Sequence, residues 1–176
     1  MMAETTAVET IERPILMAGP MVRATLADIK TQTRRMMNPQ PKNGEIDVAS
    51  KCGMYAPTLI DKHGEEYPGP EVYGIANEEH GWVCPYGKPG DRLWVRENFQ
   101  IWRNDAEAAW KFPLSDAEGC ENISTLYKAT CDWCIPWRPS IHMPRWACRL
   151  VLEITDVRVE RLTDITEQDA MAEGLK

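Results

Sequence analysis

Basic side chains are concentrated in two segments of a chain that is acidic as a whole. Residues 23–42 carry five Lys or Arg and one acid, and residues 136–149 carry three Arg, one His and no acid. Clustered cations of this kind hold phosphate oxygens by charge and by hydrogen bonds. If the fold joins the two segments, the sequence predicts one positive cleft for RNA or a nucleotide. Its candidate ligand-binding side chains are Arg23, Thr31, Arg34, Arg35, Arg96, Arg138, His142 and Arg145.

Cys131 and Cys134 form the one close pair among the six cysteines. A zinc ribbon needs a second close pair, which this sequence lacks. His142 with Cys84 or Cys120 would have to complete a zinc site. Scattered thiols of a reducing compartment are the simpler interpretation. The sequence therefore predicts no metal and no cofactor, and zinc at the Cys131–Cys134 pair stays open as the alternative.

The elements that must position these groups follow from hydrophobic periodicity and turn residues. Residues 43–82 and 104–135 show weak periodicity and are predicted to be loop-rich insertions, the first within an irregular stretch that runs to residue 90. Glu97 interrupts the apolar face of a strand, which favours an edge position or an ion pair with a basic residue over a carboxylate in a polar barrel mouth. Thr166 is the predicted N-cap of a last short helix, with Asp169 completing a capping box. The other predicted elements are strands at 13–17, 91–99 and 147–159 (with a bulge near 155–156), a helix at 20–30 and an extended segment at 31–36.

Length and composition bound the class of protein. The chain has 176 residues, 43% of them apolar, and a formal net charge of −7. These values fit one α+β domain from residue 13 to 176 after a disordered tail at 1–12. The sequence has no long apolar run and no secretory signal, so we expect a cytoplasmic protein without a membrane partner. The acidic balance argues against indiscriminate coating of nucleic acid.

Several ordered blocks of the sequence carry a family resemblance. The blocks are Arg13-Pro-Ile-Leu-Met17, Gly19-Pro-Met-Val-Arg23, Lys30-Thr-Gln-Thr-Arg-Arg35, Gly90-Asp-Arg-Leu-Trp-Val-Arg-Glu97, Trp137-Arg-Pro-Ser-Ile-His-Met-Pro-Arg-Trp146 and Leu162-Thr-Asp-Ile-Thr-Glu-Gln-Asp-Ala-Met-Ala-Glu-Gly174. They resemble the ASCH domain of the PUA-like superfamily, in the version carried by bacteriophages and prophages. The resemblance runs from about residue 13 to the end and implies a small β-barrel with flanking short helices. Members of the family usually continue beyond the Glu-Gly with another helix and a closing strand.

One enzymatic branch of this family removes the acetyl group from N(4)-acetylcytidine. The resemblance implies Lys30, Thr33 and Glu173 as its catalytic residues here, with Arg35 at a further basic position. Amide hydrolysis needs a nucleophile, a proton carrier and stabilisation of the oxyanion. A threonine hydroxyl becomes a nucleophile only when a neighbouring group takes its proton. Glu173 would orient the lysine, carry a proton or hold a water.

Three functions therefore stay open. The first is a phage-type ASCH protein that binds RNA or a modified nucleotide, with Lys30 and Arg35 on a phosphate. The second is an amidohydrolase that acts on acetylcytidine or a related modified base. The third is a phage morphogenesis protein without catalysis. A shared fold does not choose among them, and the sequence leaves the oligomeric state open.

Overall fold

A computed structural model describes residues 10–42, 45–46, 51–104 and 113–175. These residues form an α+β fold, which confirms the predicted class. None of the described helices combines the length and the apolar composition that crossing a membrane requires. The helices are α1 (Gly19–Leu26) and α2 (Glu167–Ala172), and the strands are β1 (Glu12–Leu16), β2 (Gly53–Tyr55), β3 (Thr58–Ile60), β4 (Glu66–Pro68), β5 (Val72–Ala76), β6 (Gly81–Val83), β7 (Arg92–Arg96), β8 (Phe99–Arg103), β9 (Ile123–Tyr127) and β10 (Val151–Glu153).

The described strands form four small sheets. Two have three strands, in the orders β1-β7-β10 and β2-β5-β6, and two are the pairs β3-β4 and β8-β9. By backbone contacts the chain divides into two compact units. As far as they are described, the first unit takes in residues 10–13, 35–93 and 153–165, and the second takes in 14–34, 94–152 and 166–175. The prediction of a single domain stays a prediction. Residues 1–9 of the predicted tail lie outside the described residues, and β1 begins at Glu12.

The prediction of an irregular insertion at 43–82 is wrong for the part that the structure describes. Five short strands, β2 to β6, occupy this stretch, and β5 pairs antiparallel with both β2 and β6. Tyr67 and Pro68 belong to β4. Most of these strands have three residues, which is too short for an alternating pattern to emerge from the sequence. The turn between β3 and β4 includes Gly64 with φ +86°, a conformation that favours glycine.

The predicted strand at 91–99 is two strands. It is interrupted at Glu97 and Asn98, where the Asn98 side chain accepts a hydrogen bond from the backbone N–H of Ser140 (3.0 Å). Phe99 then starts β8, which pairs antiparallel with β9 from Phe99↔Tyr127 to Arg103↔Ile123. The predicted surface insertion at 104–135 therefore contributes a strand to a sheet.

The core of the second unit is built around this strand pair. Its fully buried members include residues of the predicted 104–135 insertion, such as Ala117, and residues of the 137–146 block, such as Met143. Trp146 packs against this core. The cluster consists of Phe99, Ile101, Ala117, Met143 and Ala147.

The second long strand, predicted at 147–159, is reduced to β10. Arg145–Ala147 form a 3-10 turn after Pro144, whose carbonyl accepts from the backbone N–H of Ala147 (3.2 Å). The chain is regular only from Val151 to Glu153, and the predicted bulge at 155–156 lies beyond the end of the strand. Arg158 makes a single isolated bridge with Lys51. The 3-10 turn therefore overrides the alternating pattern before the strand.

Both predicted helices are present. In α1, Pro20 stands in the first turn and Val22 is fully buried, but the helix ends at Leu26 instead of residue 30. In α2, Thr166 and Asp169 form the predicted capping box. Residues 31–36, predicted to be extended, form no strand.

Candidate active site

The end of α1 places Lys30. Asp28 adopts a left-handed conformation (φ 54°), and the backbone N–H groups of Ile29 and Lys30 both donate to the carbonyl of Ala24 (2.9 and 3.1 Å). The N–H of Asp28 donates to Thr25 (3.1 Å), which completes a Schellman motif. This reversal stops the helix four residues earlier than predicted and turns Lys30 inward, leaving it 6% exposed.

The end of α2 places Glu173 in the same way. Gly174 has φ +90°; its N–H donates to Met171 (2.8 Å), and that of Leu175 donates to Ala170 (3.2 Å), which is a second Schellman motif. A Cβ on Gly174 would lie 2.9 Å from the Ala24 Cβ and 3.4 Å from the Lys30 Cβ. The close approach of this glycine therefore brings Glu173, the C-cap of α2, to Lys30.

Residues between Lys30 and Thr33 join the two helix ends. The backbone N–H groups of Thr31 and Gln32 both donate to the carbonyl of Ala172 (2.8 and 3.0 Å). A terminal helix carbonyl has no partner inside its own helix, so these bonds satisfy one that the fold would otherwise leave unpaired. The two donors fix the chain between Lys30 and Thr33 against α2.

The Lys30 ammonium is surrounded by acceptors. Nζ lies 2.6 Å from Oε2 of Glu173, 2.6 Å from the carbonyl of Gln32 and 3.0 Å from the carbonyl of Glu173. The Lys30 side chain is 2% exposed and that of Glu173 is 17% exposed. Short charge-assisted contacts in a dry environment are strong, and three acceptors match the three protons of an ammonium group. The resting arrangement is therefore an ion pair with its nitrogen fully hydrogen-bonded.

Arg34 and Asp169 extend this pair into a network. The Arg34 guanidinium lies 3.6 Å from Oε1 of Glu173 and 3.4 Å from Oδ2 of Asp169. Hydrogen bonds from the hydroxyl and the backbone N–H of Thr166, helped by Gln32 and the charge of Arg34, hold the pKa of the Asp169 carboxyl well below its usual range. The network thus balances two cations against two anions.

Thr33 is the third implied catalytic residue. Its hydroxyl oxygen is buried and has no hydrogen-bond partner among the described residues; the same is true of Oε1 of Glu173. Buried polar atoms are nearly always hydrogen-bonded, and exceptions point to strain or function. We call Lys30, Arg34, Asp169 and Glu173 the Lys30 cluster, and Thr33 precedes Arg34 in the chain segment that begins at Lys30.

Three of the arginines predicted to bind a ligand hydrogen-bond to other residues of the fold. Arg23 donates to the carbonyl of Ala129 (3.1 Å), Arg96 donates to the carbonyls of Ser140 (3.1 Å) and Ile141, and Arg138 donates to the Gln100 side chain (2.9 Å). These three arginines therefore have structural roles, whether or not a ligand binds. The remaining predicted ligand-binding residues outside the Lys30 cluster are exposed, namely Thr31, Arg35, His142 and Arg145.

Glu97 makes the ion pair that the sequence favoured. Its carboxylate is 1% exposed and accepts two hydrogen bonds from Arg149, at 2.8 and 2.9 Å. Arg149 also lies 4.0 Å from the ring centre of Tyr127 and donates to Thr130 (3.0 Å). Both carboxylate oxygens of Glu97 are hydrogen-bonded to Arg149, so the pair has a structural role in the second unit.

The cysteine pair lines a shallow groove. Cys131 is half-buried and Cys134 is exposed, and both thiols are free. Between them, Trp133 is 57% exposed and packs edge-on against Trp102 at 5.7 Å. In the described part of the chain, no three His, Cys, Asp or Glu side chains are grouped to hold a metal ion.

The sequence missed the part played by Asp169, which it assigned only to a helix cap. The available signal was its spacing from Glu173, since residues four apart lie on one face of a helix. It also placed Arg34 among general ligand-binding cations and not beside Glu173. In comparisons with known proteins, no family model, curated protein or solved structure matches this chain.

Proposed function

We propose that this protein is an amidohydrolase of the ASCH type that removes an acyl group from an acylated nucleobase, with N(4)-acetylcytidine as the model substrate. The observation that supports it is the buried hydroxyl of Thr33, which has no hydrogen-bond partner among the described residues and stands three residues after the ion-paired Lys30. The proposal includes the PUA-like family and a phage or prophage origin. It also includes the PUA-like barrel that the resemblance implies, although none of the four sheets of the described residues is closed.

The reaction can be written with Thr33 and the groups of the Lys30 cluster. In this structure the Thr33 hydroxyl makes no hydrogen bond with Lys30, so the proposal requires the two side chains to approach each other when the substrate binds. The Thr33 oxygen then attacks the acyl carbon, and its proton goes to Lys30 as Lys30 passes one to Oε2 of Glu173 across their 2.6 Å contact. The pair has then gained one proton. It returns this proton to the departing amine as the amide C–N bond breaks, leaving an ester on Thr33. Water hydrolyses the ester and regenerates the hydroxyl.

Binding of RNA or a modified nucleotide without turnover is the second candidate. Its support is the exposure of Arg35, His142 and Arg145 within the two basic segments. We rank it below hydrolysis because Arg23, Arg96 and Arg138 already hold acceptors of the fold.

The test is deacetylation of acetylcytidine by the purified chain, followed by chromatography, with Thr33→Val and Thr33→Ser alongside. We expect turnover by the parent, none by Thr33→Val and partial turnover by Thr33→Ser, which keeps a hydroxyl. Thr33→Val removes a buried polar atom that has no partner, so its free energy of unfolding should rise by about 1 kcal/mol. Loss of activity in a more stable protein cannot be attributed to unfolding.

Lys30→Ala is a supporting variant. It should also abolish turnover, but it leaves Glu173 without its closest cation, and breaking a buried ion pair costs about 3 kcal/mol. A folded parent that binds acetylcytidine without converting it would overturn the hydrolase and favour the binding function. Equal turnover by the parent and Thr33→Val would exclude Thr33 as the nucleophile.

A further inference from the structure

The two carboxylate oxygens of Glu173 have unequal partners. Oε2 lies 2.6 Å from the Lys30 nitrogen, whereas Oε1 is buried, has no hydrogen bond among the described residues and lies 3.6 Å from Arg34. The last torsion of a glutamate is broad and roughly two-fold, so a carboxylate held at one oxygen can rotate. The charge of Arg34 is positioned to restrain the second oxygen.

Arg34 is itself held at a fixed point of α2. Its guanidinium also contacts Asp169, one helical turn before Glu173, and Asp169 is locked by hydrogen bonds to and from Thr166 (2.7 to 3.2 Å). A planar guanidinium presents its donors in a rigid fork, which an ammonium does not. Because Arg34 contacts both Asp169 and Glu173, the capping box fixes the position of Arg34, and Arg34 in turn restrains the Glu173 carboxylate.

We propose that Arg34 is a positioning residue of this site, and the inference rests on the proposed hydrolase. It holds Oε1 of Glu173 so that Oε2 stays against Lys30, where Oε2 receives the proton that Lys30 passes on. Without Arg34, Glu173 rotates away for part of the time, and Lys30 then loses the acceptor that carries its proton. Catalysis should fall while substrate binding is kept.

The first arm of the test needs no enzyme activity. The full chain is treated with the N-hydroxysuccinimide ester of acetic acid, and acetylation of Lys30 is followed by mass spectrometry. The parent should label slowly at Lys30, because its nitrogen is buried and fully hydrogen-bonded. Arg34→Met should raise the labelling rate about tenfold, which corresponds to about 1.4 kcal/mol. Arg34→Lys should lie between them, and Arg161→Met, an exposed arginine outside the cluster, should match the parent.

The second arm measures kcat and KM for acetylcytidine. We expect Arg34→Met to lower kcat about 100-fold with little change in KM, because misplacement of a reacting group acts on the chemical step. Arg34→Lys should recover part of kcat. A purely structural arginine would lower the free energy of unfolding without separating kcat from KM. Asp169→Asn weakens the contact between Arg34 and Asp169 and should lower kcat in the same way, but less. It replaces Arg34→Met in the test if that variant does not fold.

The two arms separate the two proposals. Faster Lys30 labelling in Arg34→Met, with no turnover by the parent, would keep the positioning role and overturn the hydrolase. Turnover by the parent, with the same labelling rate and the same kcat in Arg34→Met, would overturn the positioning role and keep the hydrolase.

Discussion

The two buried ion pairs, Lys30 with Glu173 and Glu97 with Arg149, differ in how completely their carboxylates are hydrogen-bonded. Lys30 and Glu97 are both buried, but Glu97 is satisfied by two bonds from Arg149, whereas the partner of Lys30 keeps one oxygen without a hydrogen bond in the described part of the chain. Full satisfaction indicates a structural pair, and incomplete satisfaction indicates a group kept for another partner. This contrast, and not burial alone, separates the candidate site from the rest of the core.

Asp91 is a structural carboxylate with a testable pH effect. Burial acts to raise its pKa, but hydrogen bonds from the N–H groups of Lys88 and Ile11 and from the Arg13 guanidinium outweigh burial and lower the pKa. A lowered pKa in the folded state means that Asp91 contributes stability above its unfolded pKa of about 3.9. That contribution is lost as the pH falls through the folded value.

We therefore expect Asp91→Asn to lower the free energy of unfolding by about 2 kcal/mol near pH 7. The penalty should shrink as the pH falls below about 4, because the parent carboxylate then protonates as well. Urea unfolding of both proteins at a series of pH values measures it. A penalty that stays constant down to about pH 2 would show that the charge of Asp91 plays no part.

At the scale of elements, the two helix ends build the candidate site. Gly174 combines φ +90° with a close approach to Ala24. Gly119 provides a matched control, since it has φ +80° but no atom of the described residues within 4 Å of the place that a Cβ would take. Substitution by alanine at either position meets the same backbone strain, and only Gly174→Ala adds a steric clash.

We expect Gly119→Ala to lower the free energy of unfolding by about 1 kcal/mol and Gly174→Ala by about 3 kcal/mol. Gly174→Ala should also accelerate Lys30 acetylation, because Glu173 moves with the end of α2. Chemical unfolding and mass spectrometry measure the two effects. Equal penalties at the two glycines would contradict the close packing of the helix ends.

The sequence predicted some elements correctly and missed others, depending on how local their signals are. The helix cap at Thr166 and the Pro20 turn were predictable because their signals lie within a few adjacent residues. The strands of three residues were not, because periodicity needs a longer run. The contact between Lys30 and Glu173 joins residues 143 positions apart, so no local pattern contains it. Only the resemblance to a family indicated it.

At the scale of the whole molecule, the distribution of charge limits binding of RNA. The chain has a net charge of −7, and its predicted binding arginines Arg23, Arg96 and Arg138 donate to acceptors within the fold. Each phosphate that a protein neutralises on a single strand contributes about −0.7 to the slope of log K against log salt concentration. A small number of cations available to phosphate should therefore give a shallow slope.

We expect single-stranded RNA to bind this protein weakly, with a slope no steeper than about −2, equivalent to two or three phosphates. Fluorescence anisotropy of a labelled oligonucleotide at increasing salt measures it. Arg35→Met should make the slope shallower because Arg35 is exposed, whereas Arg138→Met should mainly lower stability because its guanidinium holds Gln100. A slope of about −4 or steeper would require a continuous cationic surface. That outcome would favour nucleic-acid binding over hydrolysis of a small acylated nucleoside as the main function.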